Sequence, residues 1–167
     1  MVTLMDESKF WQIVDAAHDQ SGGDMDEKCE LIKAVLSRLP EDDAREFSGL
    51  FDSMMDRAYS WPLWGAAYVI YGGCSDDSFS DFRASLISRG RIAFDTALSD
   101  PESLAAEDFD EDGWFYEGYQ YAVADGVKAA VGSVVERERP HPDEPSGQAW
   151  SEDKVNESYP KLARKFA

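Results

Sequence analysis

Apolar residues recur every three or four positions along most of the chain, which is the spacing of one face of an α-helix. The first such segment contains Phe10, Trp11 and Val14, and either Asp6 or Ser8 can cap its start, because short polar side chains accept hydrogen bonds from the first turn. The same spacing predicts helices over residues 25–39, 40–58, 61–71, 76–88 and 91–98, a short helix from Pro101 and a longer helix over residues 114–136.

Glycine and proline residues separate these predicted helices. Gly72 and Gly73 end the fourth helix, and a Pro-rich stretch follows the last long one. Alternation of apolar and polar residues, the pattern of a half-buried strand, is confined to two short tyrosine-rich stretches. We therefore predict an all-α fold: a single compact domain of about seven helices over residues 1–136, a Pro-rich linker over residues 137–150 and a C-terminal helical tail over residues 151–167 that can dock on the domain.

The fourth predicted helix, residues 61–71, is almost wholly apolar. Because apolar residues lie on every side of it, we expect it to be buried on every side. Trp61, Trp64 and Tyr68 lie close together on such a helix, where they either line an aromatic pocket or belong to the core. In the turn that follows, Cys74 is interpreted as a small buried thiol rather than a nucleophile, because the neighbouring aspartates oppose a thiolate.

The fifth predicted helix has an apolar face and an acidic face. Its Phe and Leu residues share one face, which we assign to the core. Asp76 and Arg83 fall at the edge of this face, so we expect Asp76 to cap the helix and to form an ion pair with Arg83. Asp77 and Asp81 point away from the core and are interpreted as a solvated face.

Two further arginines, Arg89 and Arg91, flank Gly90 after this helix. In an acidic protein such a pair is either an internal clamp on carboxylates or the positive part of a site for an anionic ligand. A phosphate loop in the preceding Gly-Gly-Cys-Ser turn is disfavoured, because aspartates occupy the helix N-terminus and the P-loop lysine is missing. Both interpretations of the arginines stay open.

The charge of the chain narrows the classes of function. It has 34 Asp and Glu residues against 16 Lys and Arg residues, which gives a formal net charge of −18. Nucleic-acid binding is disfavoured, because it requires a basic surface that neutralises phosphates. An acidic surface suits a basic protein partner or mimicry of a polyanion. The span 92–127 has ten acidic residues and no Lys or Arg, which makes it the most negative surface candidate.

The acidic loop Asp108–Asp112 begins like a calcium-binding EF-hand loop, since with the following glycine it has the pattern Asp-x-Asp-x-Asp-Gly. The second half of the motif fails, because Tyr119 stands where a bidentate glutamate is required. We interpret the segment as a solvated loop and expect no metal and no cofactor, with weak Ca²⁺ binding left open. His18 and His141 belong to no recognisable catalytic triad.

The N-terminal segment and the cysteines bear on the compartment. The N-terminal segment lacks the basic and apolar regions of a secretory signal, and no apolar stretch approaches the roughly 20 residues of a transmembrane helix. We therefore expect a cytoplasmic protein without a membrane partner, in which Cys29 and Cys74 are free thiols.

Several stretches resemble a known bacterial family. These are "FWQIVDAA" near the start, the central block from Leu63 to Arg91, "DPESLA" after it, and "PSGQAWSED" with "YPKLARKF" near the end. In this order they resemble the family catalogued as domain of unknown function 4240, over nearly the whole chain. The resemblance implies a largely helical, intracellular bacterial protein. It implies no catalytic residues, so the function stays open.

The leading hypothesis is a non-enzymatic acidic module for a basic protein partner, in the manner of an immunity protein, an antitoxin or a polyanion mimic. It would bind through its acidic surface or through a pocket beside Trp64 and Cys74. The alternative is an enzyme of unknown reaction that acts on a small anionic substrate at residues 61–91, with Asp76 or Asp77 as acid or base. The candidate pocket residues are Trp61, Trp64, Tyr68, Cys74, Asp76, Asp77, Arg83, Arg89 and Arg91.

Overall fold

The computed structural model describes residues 5–108 and 111–166, apart from the side chains of residues 111 and 112. This part of the chain forms ten α-helices and one 3₁₀ helix and contains no β-strand, which confirms the all-α prediction. In the same described part, no helix is long and apolar enough to cross a membrane. The helices in chain order are α1 (Glu7–Ser21), α2 (Met25–Ser37), α3 (Glu41–Arg57), α4 (Trp61–Tyr71), α5 (Asp76–Ser88), α6 (Arg91–Ser99), the 3₁₀ helix (Pro101–Ala106), α7 (Glu111–Trp114), α8 (Gly118–Val131), α9 (Val155–Ser158) and α10 (Pro160–Phe166).

Side-chain caps fix where several helices begin. Asp6, Asp24, Ser60 and Ser75 each accept a hydrogen bond from the backbone N–H three residues later, at 2.8 to 3.3 Å. These bonds satisfy N–H groups that have no partner within the helix. At the other end, α4 stops at Gly72, whose φ of 71° is a left-handed conformation that favours glycine.

The helix predicted over residues 114–136 is shorter in the structure, where α8 covers only Gly118–Val131 and Trp114 ends α7, so both predicted ends are wrong. The backbone between them is drawn toward α5, because the Tyr116 N–H donates to the Ser85 hydroxyl at 3.1 Å. The Tyr116 ring then lies over the start of α8, where a Cβ on Gly118 would come within 2.5 Å of it. α8 ends before Gly132, which has a φ of 92°.

The core lies where α1, α2, α3, α5 and α8 meet. α2 and α8 approach closely at Gly126, where a Cβ would lie 2.9 Å from the Leu36 Cβ and 3.0 Å from the Lys33 carbonyl oxygen. Between α1 and α3, the fully buried rings of Phe10 and Phe47 pack with their centroids 4.7 Å apart. Burial of such large apolar side chains is the main favourable contribution to folding.

A C-terminal strap, residues 137–166, lies across α3, α4 and the 3₁₀ helix. Its backbone pairs with the start of α4: the Ser146 N–H donates to the Tyr59 carbonyl at 3.0 Å, and the Trp61 N–H donates to the Ser146 carbonyl at 2.8 Å. Leu162 is fully buried in α10, which packs against α4 and the 3₁₀ helix. Both the predicted linker and the predicted tail therefore contact the helical domain.

Candidate functional site

The three aromatic residues predicted to form a pocket surround a residue of the strap, Trp150. Its ring packs edge-on against Trp61 at 5.9 Å and Trp64 at 6.3 Å, and lies 4.9 Å from Tyr68, measured between centroids. The Trp150 indole N–H donates to the Trp61 carbonyl at 2.7 Å. The strap, through Trp150, therefore fills the space between these three aromatic residues.

The expectation that α4 is buried on every side is wrong. Tyr71, at its C-terminal end, is 50% exposed, and Trp61, Trp64 and Tyr68 are only partly buried even with the strap in place. The apolar composition of α4 is explained by two different neighbours: the core on one side and the strap on the other.

The opposite side of Trp64 packs on α5 and fixes the turn that contains Cys74. Its ring stacks on Phe79 at 5.1 Å, and its indole N–H donates to the Cys74 carbonyl at 2.9 Å. Burial, with the nearby Asp76 and Asp81, raises the pKa of the Cys74 thiol to about 12. The thiol is free and half-buried, and its raised pKa opposes formation of the thiolate.

The predicted roles of Asp76 are wrong in both parts. Ser75 caps α5, and Asp76 instead accepts a hydrogen bond from the Tyr59 hydroxyl at 3.1 Å. Among the described residues no carboxylate lies within 4.0 Å of the Arg83 guanidinium, so the expected ion pair is not formed. The error arose because spacing on one helix cannot show that Tyr59, from the end of α3, reaches Asp76.

Arg83 is a buried cation with neutral partners. It is 2% exposed, and its Nη1 donates at 2.8 Å to the Met55 carbonyl in the last turn of α3. The guanidinium thus satisfies one of the carbonyls that a helix end leaves without a partner, at the negative end of the helix dipole. Its carbon also lies over the rings of Tyr59 and Phe79, 4.6 and 4.9 Å from their centroids. Burial lowers the pKa of Arg83 to about 10.

A second buried cation, Lys28, was missed in the sequence. It is 1% exposed and donates to the Ser88 hydroxyl at 3.2 Å. Burial and the nearby Arg89 lower its pKa to about 8. The signal was present, because Lys28 precedes the buried Ile32 and Leu36 by four and eight residues and so shares their helix face.

Arg89 and Arg91 lie in different surroundings. The Arg89 guanidinium stacks on Trp114 at 4.0 Å and borders a cavity of about 430 Å³ between α5, α6 and the 3₁₀ helix. Arg91 is half exposed and forms an ion pair with Asp95, one turn later, at 3.6 Å. The two arginines therefore do not act as one clamp.

On the outer side of α5, three carboxylates crowd together. Asp81 faces Asp77 on its own helix and Glu117 at the start of α8. Burial and these two negative neighbours raise the pKa of Asp81 to about 6. A hydrogen bond from the Gln120 amide, at 3.2 Å, has the opposite effect because it favours the charged form. Within the described part of the chain, none of the three forms an ion pair.

An exposed tyrosine, Tyr121, flanks these carboxylates, and a second, Tyr71, packs on the turn before Glu117. Tyr121 is 58% exposed and its hydroxyl donates to Glu117. Tyr71 stacks at 4.4 Å on Phe115, which precedes Glu117 by two residues. We call this surface the acidic-aromatic face, made of Tyr71, Asp77, Asp81, Glu117 and Tyr121.

The side chains that could bind a metal ion lie apart from one another in the described part of the chain. Among the described residues, no group of three or more His, Cys, Asp or Glu side chains is placed to hold a metal ion. The predicted acidic loop Asp108–Asp112 lies partly outside the described residues, since it includes residues 109 and 110 and the side chain of residue 112. Its Ca²⁺ binding stays a prediction.

Comparison with known proteins identifies the family. The model of a protein family of unknown function, DUF4240, matches residues 5–128, about three quarters of the chain, and the chain belongs to this family. The family resemblance drawn from the sequence is confirmed for residues 5–128, whereas the two C-terminal stretches lie outside the match. No curated protein and no solved structure matches the chain.

Proposed function

We propose that this protein is a non-enzymatic acidic binding module for a basic protein, and that the acidic-aromatic face is where the partner binds. The observation that supports this most is the crowding of Asp77, Asp81 and Glu117, for which the described residues provide no counter-ion. A basic side chain from a partner would supply the missing positive charge.

The mutual repulsion of these carboxylates favours a bound cation. In the free protein, like charges and burial hold the pKa of Asp81 at about 6. A cation placed beside Asp81 would lower that pKa, so that binding and proton release are coupled. We therefore expect affinity to decrease as the pH falls from 7 to 5.

The tyrosines make arginine a better partner than lysine. A planar guanidinium can pair with a carboxylate through two hydrogen bonds and stack on an aromatic ring at the same time, whereas an ammonium group is a point charge. Tyr71 and Tyr121 each expose half or more of their surface, and Tyr121 lies beside Glu117 and Asp81. The preferred partner is thus a basic protein with an arginine-rich segment.

The overall charge supports the same function. A formal net charge of −18 accelerates the approach of a basic partner and repels nucleic acids. Neutralisation of a basic toxin in the cytoplasm, as by an immunity protein or antitoxin, and occupation of the nucleic-acid site of a basic protein are two forms that this function can take.

An enzyme acting on a small anionic substrate has less support. Arg83 is buried under two rings, and Arg91 is paired with Asp95. The high pKa of Cys74 removes it as a nucleophile.

The test is a titration of the full chain with an oligo-arginine peptide, followed by NMR, with an oligo-lysine peptide of equal length for comparison. We expect shifts centred on Tyr71, Asp81 and Tyr121, and tighter binding of oligo-arginine. The triple variant Asp77→Asn, Asp81→Asn, Glu117→Gln should bind about tenfold more weakly, as expected for the loss of three partly exposed ion pairs.

The matched control removes the same charge elsewhere. Asp19, Glu30 and Asp42 are exposed residues outside both the acidic-aromatic face and the strap. The variant Asp19→Asn, Glu30→Gln, Asp42→Asn should lose little affinity. Equal losses in the two triple variants would show binding by net charge alone and would overturn the proposed site.

A further inference from the structure

The strap lies in a groove between α4 and the 3₁₀ helix, and this strap groove depends on the absence of one side chain. Gly65 is buried in the middle of α4. A Cβ there would lie 2.6 Å from the Tyr159 hydroxyl oxygen and 2.8 Å from Cδ1 of Trp150. Cβ atoms in proteins essentially never show such short contacts. Trp150 and Tyr159, the two aromatic anchors of the strap, therefore fit against α4 because residue 65 is a glycine.

Backbone carbonyls of α4 orient these anchors. The Trp150 indole N–H donates to the Trp61 carbonyl at 2.7 Å, and the Tyr159 hydroxyl donates to the Pro62 carbonyl at 2.6 Å. A phenylalanine at either position would leave its carbonyl without this bond. The groove therefore distinguishes Trp and Tyr from other aromatic residues.

The far end of the groove recognises the start of a short basic helix. Both oxygens of the Glu102 carboxylate accept hydrogen bonds from the first N–H groups of α10, those of Lys161 and Leu162, at 3.2 Å each. The Lys165 ammonium donates to the carbonyls of Ala105, at 3.0 Å, and Glu107. The Glu102 carboxylate thus lies at the positive end of the α10 dipole, and two backbone carbonyls at the end of the 3₁₀ helix accept from the Lys165 ammonium.

We propose that the strap groove is a peptide-binding site, and that a basic partner fills it with a segment carrying an indole followed by Tyr-Pro and a short basic helix. The strap is its intramolecular occupant and competes with the partner. The groove lies within the family match and the strap outside it. This site is separate from the acidic-aromatic face, and the proposal does not rest on it.

Competition from the strap sets the expected affinities. A segment tethered by a short linker has an effective concentration in the millimolar range, so an added peptide binds the wild-type protein only weakly. Weakening the strap in the full chain with Trp150→Ala and Tyr159→Ala should open the groove. The two substitutions leave Gly65, Pro62 and Glu102 unchanged.

The experiment measures binding of a fluorescent peptide with the sequence of residues 146–166. We expect the double variant to bind it at least tenfold more tightly than the wild type. Adding Gly65→Ala should reduce this affinity at least tenfold, whereas adding Gly49→Ala should not, because a Cβ on Gly49 of α3 meets no atom within 4 Å. Absence of peptide binding by a folded double variant, or binding that survives Gly65→Ala, would overturn the proposal.

A second measurement covers the case in which the double variant fails to fold. Gly65→Ala in the otherwise wild-type chain should displace the strap and accelerate tryptic cleavage after Lys154 and Lys161, whereas Gly49→Ala should leave the cleavage rate unchanged. A strap equally protected in both variants would mean that the gap at Gly65 does not hold it.

Discussion

The two sides of α5 place charged side chains in opposite surroundings, one buried and one exposed. On the inner side, Arg83 is 2% exposed and has a backbone carbonyl and two rings as partners. On the outer side, Asp77 and Asp81 lie near Glu117 with no counter-ion among the described residues. Arg83 therefore has no ion-pair partner within 4.0 Å among the described residues, although Asp76 and Asp56 lie near enough to raise its pKa, and the carboxylates on the opposite face have no ion-pair partner either.

This difference explains how an acidic chain can present an even more acidic exterior. Arg83 and Lys28 are two of the 16 basic residues, and both are buried. Pairing them with buried carboxylates would require desolvation of a second charge, whereas carbonyls, hydroxyls and aromatic faces already lie in the core. The positive charge that they carry is thereby withdrawn from the surface, where it would otherwise offset the acids.

The largest expected effect comes from the inner side. Arg83→Ala leaves a cavity and removes the partner of the Met55 carbonyl, so we expect the free energy of unfolding to fall by about 3–4 kcal/mol in urea denaturation. Arg83→Met keeps most of the apolar volume and should cost about 1–2 kcal/mol. If alanine and methionine are equally destabilising, filling the space of the Arg83 side chain contributes nothing to stability, and the account of the inner side as a packed environment fails.

The next effect is a pH dependence at Lys28. Burial lowers its pKa from 10.5 to about 8, so between these values the unfolded chain binds more protons and stability contributed by this group rises with pH. Below pH 8 its charge is a full cost of about 2–3 kcal/mol, less about 1 kcal/mol for its hydrogen bond. Lys28→Met should therefore be about 1–2 kcal/mol more stable than the wild type at pH 7.

The check is the difference between wild-type and Lys28→Met unfolding free energies from pH 7 to pH 10. The advantage of the variant should shrink as the pH rises. Lys33→Met is the matched control, because Lys33 is exposed on the same helix. A difference that does not change with pH would mean that Lys28 is solvated in the folded protein.

Periodicity and capping residues predicted most of the fold. The helices α1 to α6 follow the apolar spacing, and the caps at Asp6 and Pro-initiated helix starts were visible in the sequence. The later start of α8 was not predictable from spacing, because the turn before it depends on a hydrogen bond between the Tyr116 backbone and Ser85, which are 31 residues apart. Local patterns contain no information about such pairs.

The site was predicted less well than the fold. The segment 61–91 contains the residues that looked chemically active, but their partners come from elsewhere in the chain: Trp150 for the aromatic residues of α4, Tyr59 for Asp76 and Met55 for Arg83. Asp81, interpreted as solvated, is half-buried and crowded because Glu117 approaches it from α8. Sequence spacing locates reactive residue types, whereas their pKa values and partners depend on tertiary contacts.

The smallest expected effect is on the outer side of α5, where the stability of a variant can be compared with its binding of a basic peptide. Burial, Glu117 and Asp77 raise the pKa of Asp81 from 3.8 to about 6, so the folded state binds more protons in this range and its stability falls as the pH rises through it. Because the side chain is partly exposed, Asp81→Asn should gain only about 0.5–1 kcal/mol at pH 7. The gain should vanish near pH 4, whereas Asp125→Asn, at an exposed position of α8, should show none.

A variant that becomes more stable while it binds oligo-arginine more weakly is the expected signature of a carboxylate kept for binding. If Asp81→Asn is instead destabilising at pH 7, the carboxylates are not crowded, and the outer side of α5 is an ordinary solvated surface.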